Sequence, residues 1–287
     1  MGETDSLVSA IKQFKVVNGV TVVPSGDDAT HQRNWDELAS RAQLDGLLAS
    51  ANQVHRARLL AASAPHSGAW LHALPIPSLG LLLNDQTVRI SVALRLGAPV
   101  CEPHPCRCGR QVDRLGHHGL SCRYSAGRFP RHANLNDVVK RGLTAAGIPS
   151  WLEPVGLDRG DGRRPDGITV FPYSRGKCLC WDATCIDTFS ASAVMESALE
   201  PGSAARAAED RKRELYSELS ERYIFQPLAV ETSGVLGPRS GKFLAQLGQR
   251  ITSVTGERRE LEWLRQRVSL AVARGNAVSI LATGAVL

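Results

Sequence analysis

Apolar positions recur at helical spacing in the early part of the chain and give way to short alternating runs after residue 150. Residues 1–34 mix polar residues, glycine and a brief VTVV run, and read as a loosely ordered arm. From Trp35 to about Ala62 the pattern is helical, with Trp35, Leu38, Leu44, Leu47 and Leu48 apolar, Asp36 near the start, and Leu59 and Leu60 on a second helix. The proline-rich stretch APHSGAWLHALPIPSLG predicts an irregular segment. Asp85 then serves as N-cap for a helix through VRISVALRL, which Gly97 and Pro99 stop. Residues 35–100 thus form a helical linker domain.

After a cysteine-rich stretch at 101–125, the pattern changes. HANLNDVVKRGLTAAG places Leu135, Val138, Val139, Leu143 and Ala146 at helical spacing, and Gly147 and Pro149 end it. WLEPVGL, GITVFPY and KCLCWDATCID are strand candidates, the last two joined through Ser174, Arg175 and Gly176 as a hairpin. Ser203 caps a long helix through Tyr223, FQPLAVET is a further strand, and helices close the chain, one from about Glu257 to Arg274. The order helix, three strands, helix, strand predicts an α/β domain over 126–287.

Composition adds limits. A chain of 287 residues with 43% hydrophobic and 22% charged residues is neither a disordered chain, a collagen nor a coiled coil. No apolar run approaches the roughly 20 residues of a membrane-spanning helix. MGETDSLVSA lacks the basic and apolar blocks of a signal peptide, so an intracellular protein is expected. Of the 34 basic residues 28 are arginine, whose planar fork suits phosphate. From Cys101 to Arg175 there are 12 basic and 7 acidic residues, a net of +5, while the remaining residues carry 22 and 21. A basic middle is the footprint of a phosphate-backbone partner, or an ordinary solvated surface.

All 7 cysteines lie between Cys101 and Cys185, an odd number clustered too tightly for a disulfide framework. In CEPHPCRCGRQVDRLGHHGLSC, thiols and imidazoles stand at a spacing that suits tetrahedral Zn²⁺. Cys106, Cys108 and Cys122 are candidate ligands with one of His117 and His118, and Gly109 sits where a knuckle turns. The alternatives are buried free thiols, or Cys101 and His104 as substitutes. Cys178, Cys180 and Cys185 alternate as strand positions and read as small buried hydrophobes.

Two carboxylates stand out: Asp166 opens the first hairpin strand and Asp182 lies in the second. Side by side, they would offer the hard oxygen ligands that Mg²⁺ takes. Lys212 shares a helical stripe with Ala208, Leu215, Leu219 and Tyr223, so it either faces the sheet or snorkels outward beside Arg211 and Arg213.

These segments in this order (the knuckle, RHANLND, RRPDGITV, WDAT and the basic helix) resemble a restriction-like endonuclease of the PD-(D/E)xK superfamily. More closely, over about Ala61 to Ala277, they are similar to the endonuclease domain that follows the reverse transcriptase in site-specific non-LTR retrotransposons. The resemblance implies an αβββαβ core with a small mixed sheet, a Cys-Cys-His-Cys zinc knuckle and DNA nicking with Mg²⁺ or Mn²⁺. It places the PD dipeptide at Pro165 and Asp166, and the second acid at Asp182. The shared HGLSC string selects His118 as the zinc ligand, although the Cys-x-Cys-x8-His-x4-Cys count selects His117. The usual lysine position holds Thr184, and Lys212 takes the role of a lysine moved to the following helix. That departure leaves open a degenerate enzyme, an inactive zinc-containing nucleic-acid-binding module. His132 and Asn136 match the family's RH segment as supporting residues, or are a helix cap and a surface amide. Arg107, Arg110, Arg123, Arg128 and Arg131 would grip DNA. The resemblance leaves element RNA open as a second partner, and implies nuclear localisation (cytoplasmic and nuclear for a remnant expressed alone), no membrane partner and no small-molecule substrate. A polymerase is not expected, since 100 residues before the knuckle cannot hold one.

Overall fold

The structure, a computed structural model, describes residues 2–157 and 164–284 of a mixed α/β protein. Three helices open the chain: α1 (Gly2–Asn18), α2 (Gln32–Ser50) and α3 (Gln53–Ser63). The first corrects the reading of residues 1–34 as a loosely ordered arm. Ile11, Phe14 and Asn18 are half-buried at helical spacing, and the Phe14 ring meets Trp35 edge-on at 4.9 Å. Leu59 and Leu60 fall on a second helix, as predicted, and the break lies at Ala51, where the Asn52 side chain accepts the His55 N–H at 2.9 Å and starts α3. Helix α4 (Asp85–Leu96) is capped one residue earlier than predicted: Asn84 Oδ1 accepts the Thr87 N–H at 2.8 Å, and Gly97 closes the helix at φ 71°.

A two-stranded ribbon, β1 (His104–Pro105) and β2 (Gln111–Val112), and the short α5 (His117–Ser121) follow. Helix α6 (Arg128–Ala145) leads into β3 (Ser150–Leu152), β4 (Gly167–Thr169) and β5 (Leu179–Ile186). After α7 (Val194–Ser197) and α8 (Ser203–Leu215) come β6 (Ile224–Glu231), α9 (Pro238–Thr255) and α10 (Glu260–Leu281). The sheet order is β3-β4-β5-β6, antiparallel except for the parallel β5/β6 pair. Helix, three strands, helix and strand therefore occur in the predicted sequence. The predicted helix to Tyr223 instead ends at Leu215, since Tyr216 turns inward, packs its ring 4.8 Å from Phe225 and donates its hydroxyl to the Arg164 carbonyl.

Strand parity sets what each face of the sheet carries. Leu179, Trp181 and Ala183 of β5, with Leu228 and Val230 of β6, pack under α6, α9 and α10 as one apolar core. The alternate residues turn to α8, where Ala205 and Ala208 meet Ala229. Those small side chains let α8 lie close to the strands, and Asp182 falls on that face. Cys180 is buried there too, its thiol pushed up to about 12 by burial, as expected of a small apolar strand residue.

The linker and the cysteine-rich stretch are not separate from this core. Ile90, Val100, Cys101, Val112 and Leu120 pack with Ala277 and Ile280 of α10 in a second apolar cluster. A close approach joins them at Gly127, where an added Cβ would sit 2.1 Å from Ser279 Oγ. No helix among the described residues is long and apolar enough to cross a membrane.

Candidate functional site

Two clusters of chemistry-bearing side chains stand on this frame. The first is built where the β1–β2 ribbon meets α5. Gly109, at φ +89°, turns the chain so that its N–H donates to the Cys106 carbonyl at 2.8 Å, presenting Cys106 and Cys108 together. Helix α5 supplies His118, and Cys122 follows it directly, its N–H on the His118 carbonyl at 3.0 Å. The ligand atoms of Cys106, Cys108, His118 and Cys122 all lie within 4.8 Å of one another. Cys106 Sγ is 3.8 Å from Cys122 Sγ, and Cys108 Sγ is 3.1 Å from His118 Nε2. Two thiolates each about 2.3 Å from a tetrahedral ion stand about 3.8 Å apart, so this donor set could hold a metal such as zinc. A hydrogen bond from the Arg110 backbone lowers the Cys108 thiol, which favours the thiolate a metal needs.

Of the two histidines, it is His118 that joins the three thiols. His117 turns away and stacks on Phe189, centroids 4.1 Å apart and planes 7° from parallel. Burial pushes its imidazole down to about 4. Cys101 is not a ligand: it donates to the Asp113 carbonyl at 3.1 Å. His104 lies between the carbonyls of Glu102 and Thr283 at 2.7 and 2.9 Å.

The second cluster is a corner at the β4–β5 pair. Asp166 stands just before β4, its N–H donating to the Trp181 carbonyl at 2.9 Å. Its Oδ2 accepts the Ala183 N–H at 2.6 Å and His132 Nε2 at 3.0 Å. That second bond raises the His132 pKa against the opposing effect of burial. Asp182, 3% exposed, faces α8, and Lys212 Nζ lies 2.6 Å from its Oδ1. Burial pushes the Asp182 carboxyl up, the neighbouring Asp166 adds to this, and Lys212 opposes it. Asp166, Asp182, Lys212 and His132 are thus brought to one place.

Asn136 does not touch that corner. It is buried and accepts from Trp181 Nε1 at 3.0 Å, fixing the indole against which Gly167 lies bare. An added Cβ at Gly167 would come 2.1 Å from the Trp181 ring. Its contribution is to hold the floor of β4 and β5 in register.

Of the arginines assigned to DNA, Arg107, Arg110, Arg123 and Arg128 are exposed. Arg107 and Arg123 flank the Tyr124 ring at 5.7 and 4.7 Å. Arg131 is a correction. It is 3% exposed, and its guanidinium donates to Asn276 Oδ1 at 2.8 Å and to the Leu120 carbonyl at 3.2 Å. It shares the inward stripe of α6 with Leu135 and Val139, and the bare Gly275 gives its stem room. Such a side chain ties α6 to α10 and α5 and cannot reach a phosphate backbone.

Two residues escaped the sequence reading. Tyr216 brings its hydroxyl to the carboxylate corner, where it donates to the Arg164 carbonyl at 2.8 Å. Phe129 is 85% exposed in the first turn of α6, on a cavity of about 260 Å³ that Arg128, His132 and Thr184 also line. Its position off the apolar stripe was the available signal. No protein-family model and no curated protein matches this sequence.

Proposed function

We propose that the protein is a metal-dependent DNA endonuclease that nicks one strand, of restriction-like type and derived from a non-LTR retrotransposon, acting in the nucleus. The observation that carries this reading is the corner: one carboxylate just before β4 and one on β5, with a histidine on the first and a lysine on the second. Arrays of this kind handle phosphoryl oxygens, because fixed charges aimed at a reacting phosphate stabilise the charge that develops there. The αβββαβ order and the PD dipeptide support the restriction-like assignment.

Hard carboxylate oxygens fit Mg²⁺ or Mn²⁺, and Asp166 and Asp182 would hold it. Such a cation, when bound, supplies Lewis acidity and a more acidic water. The chain's own residues do the rest. Lys212 offsets the repulsion between the carboxylates and offers a positive charge to an incoming phosphate. His132 orients Asp166 by holding Oδ2, which leaves Oδ1 for other partners. The Cys106, Cys108, His118 and Cys122 set, with zinc, would present Arg107, Arg110 and Arg123 to the backbone, and Arg128 and Phe129 flank the approach to the corner.

Supercoiled plasmid with Mg²⁺ or Mn²⁺ should convert to the nicked form with the wild-type protein. Asp166→Ala and Asp182→Ala should remove nicking while DNA binding stays equal or tightens, since negative charge near phosphate is lost. Both variants nicking at the wild-type rate would place the active site elsewhere. Thr184 at the usual lysine position favours a second reading, an inactive nucleic-acid-binding module, which predicts salt-sensitive DNA binding with no nicking in any divalent cation.

A further inference from the structure

Helices α3 and α4 carry two half-buried arginines, Arg58 and Arg95, at the junction of the linker with the core. Neither forms an ion pair among the described residues. Their recorded partners are neutral: Arg58 Nη1 donates to the Arg95 carbonyl at 2.8 Å, and Arg95 Nη2 to the Ala62 carbonyl at 2.6 Å. Arg95 Nη1 also points to Ser67 Oγ at 3.4 Å. Burial alone lowers the pKa of both, with no carboxylate opposing it. Arginine does not escape by losing its proton, so two desolvated charges stand here without a counter-charge.

Both line a cavity of about 50 Å³, together with Ser67, Ser91, Ser233 and Ser269. Two of its polar atoms are buried with no hydrogen-bond partner, Arg58 Nε and Ser91 Oγ, and Ser91 is only 7% exposed. Buried donors are normally paired, so an unpaired arginine N–H and an unpaired hydroxyl on residues that line one cavity point to a missing acceptor. Asp187 and Glu231 do not supply it. Asp187 accepts from the Phe189 N–H and Thr232, and Glu231 from Thr188, Ser233 and the Ala205 N–H. The junction is also held close, since an added Cβ at Gly234 would sit 2.3 Å from the Ser67 carbonyl.

We propose that this cavity is a phosphate site, binding one tetrahedral oxyanion on Arg58, Arg95 and Ser91. A single water needs about 10–15 Å³ measured the same way, so the space suits a group of a few heavy atoms and excludes a whole nucleotide. The occupant is inorganic phosphate or the terminal phosphate of a nucleic-acid strand whose sugar and base stay outside. Bound there, it bridges α3 and α4 to α10 and the loop after β6. The proposal stands independently of the nuclease reading, because none of its residues belongs to the carboxylate corner.

The test is thermal unfolding of the full chain in phosphate against chloride at equal ionic strength. Phosphate at a hundredfold excess over its Kd should raise the wild-type Tm by roughly 5 °C or more. Ser91→Ala removes only an unpaired hydroxyl, so it should melt no lower than wild type in chloride and lose at least half of the phosphate-dependent rise. Arg58→Gln should lose nearly all of it. A wild-type rise no larger in phosphate than in chloride overturns the site, as does an undiminished rise in Ser91→Ala. A short oligonucleotide with a 5′-phosphate, compared with its 5′-hydroxyl twin, separates the sources. Tighter binding of the phosphorylated strand, lost in Ser91→Ala, assigns the site to a strand end; equal binding of the twins assigns it to free phosphate.

Discussion

Lys212 Nζ lies 2.6 Å from Asp182 Oδ1, across the gap between α8 and the second strand of the hairpin. The contact exists because strand parity turns Asp182 toward α8 and the alanines of α8 let the helix approach. Removing the lysine leaves Asp182 beside Asp166 with less to offset their repulsion. On the nuclease reading, Lys212→Ala should slow plasmid nicking by about 10²–10³-fold and change DNA affinity by far less. Single-turnover rates compared with binding isotherms check this. Equal losses in both would make Lys212 a binding residue only.

His118 and His117 should separate cleanly. Purified protein is expected to carry one zinc per chain, and His118→Ala should lose it while His117→Ala keeps it. Elemental analysis of both variants settles the matter. Retention of the metal by His118→Ala would remove it from the ligand set.

Arg131 and Arg128 are three residues apart on α6 and should behave in opposite ways. Arg131→Ala strands Asn276 Oδ1 and the Leu120 carbonyl, and is expected to cost about 2–4 kcal/mol in urea unfolding. Arg128→Ala, at an exposed position, should leave stability within about 0.5 kcal/mol and weaken DNA binding with a shallower salt dependence. An unchanged unfolding midpoint in Arg131→Ala would contradict its structural role.

Glu231, fully buried at the end of β6, has its carboxyl pushed up by burial. A raised folded pKa favours folding below the ordinary value of 4.5, and that contribution is lost as pH rises through the folded value. Glu231→Gln does not titrate, so its stability relative to wild type should climb as pH rises from about 4.5 toward neutrality. Urea midpoints for both proteins across that range give the slope. A constant difference would mean that Glu231 titrates alike in the folded and unfolded chain.

The sheet was legible because period-two patterns survive in KCLCWDATCID, and the Ser174–Gly176 turn between its strands is a local signal. Ser174 and Lys177 do pair across it. The carboxylate corner followed from that register, since Gly167 opposite Trp181 fixes where Asp166 and Asp182 fall. Helix ends were legible only where a local device sets them, as Gly97 does. Leu215 ends α8 for a tertiary reason, the inward turn of Tyr216, which no window of sequence contains.

Charge misled where packing decides. Arg131 looks like its neighbour Arg128 in a basic run, yet it occupies the same stripe as Leu135 and Val139. Phe129 is the converse case, an aromatic off the apolar stripe of α6 that stands in solvent. Spacing alone allowed either histidine of HHGLSC, the HGLSC resemblance favoured His118, and the stacking of His117 on Phe189, far along the chain, is a tertiary contact that no local pattern contains.

The place of α10 has a consequence for how the protein is made. The thiols of the knuckle end at Cys122, but Ala277 and Ile280, which complete the apolar floor beneath them, emerge more than 150 residues later. At about 5–20 residues per second, the ribosome leaves Cys106, Cys108 and Cys122 without that floor for on the order of ten seconds or more. Metal capture during this interval would shield them from oxidation and hold α5 ready for its partner. The segment between Cys106 and Cys122 is then exposed until α10 has emerged, and only the arrival of Ala277 and Ile280 closes the cluster over it.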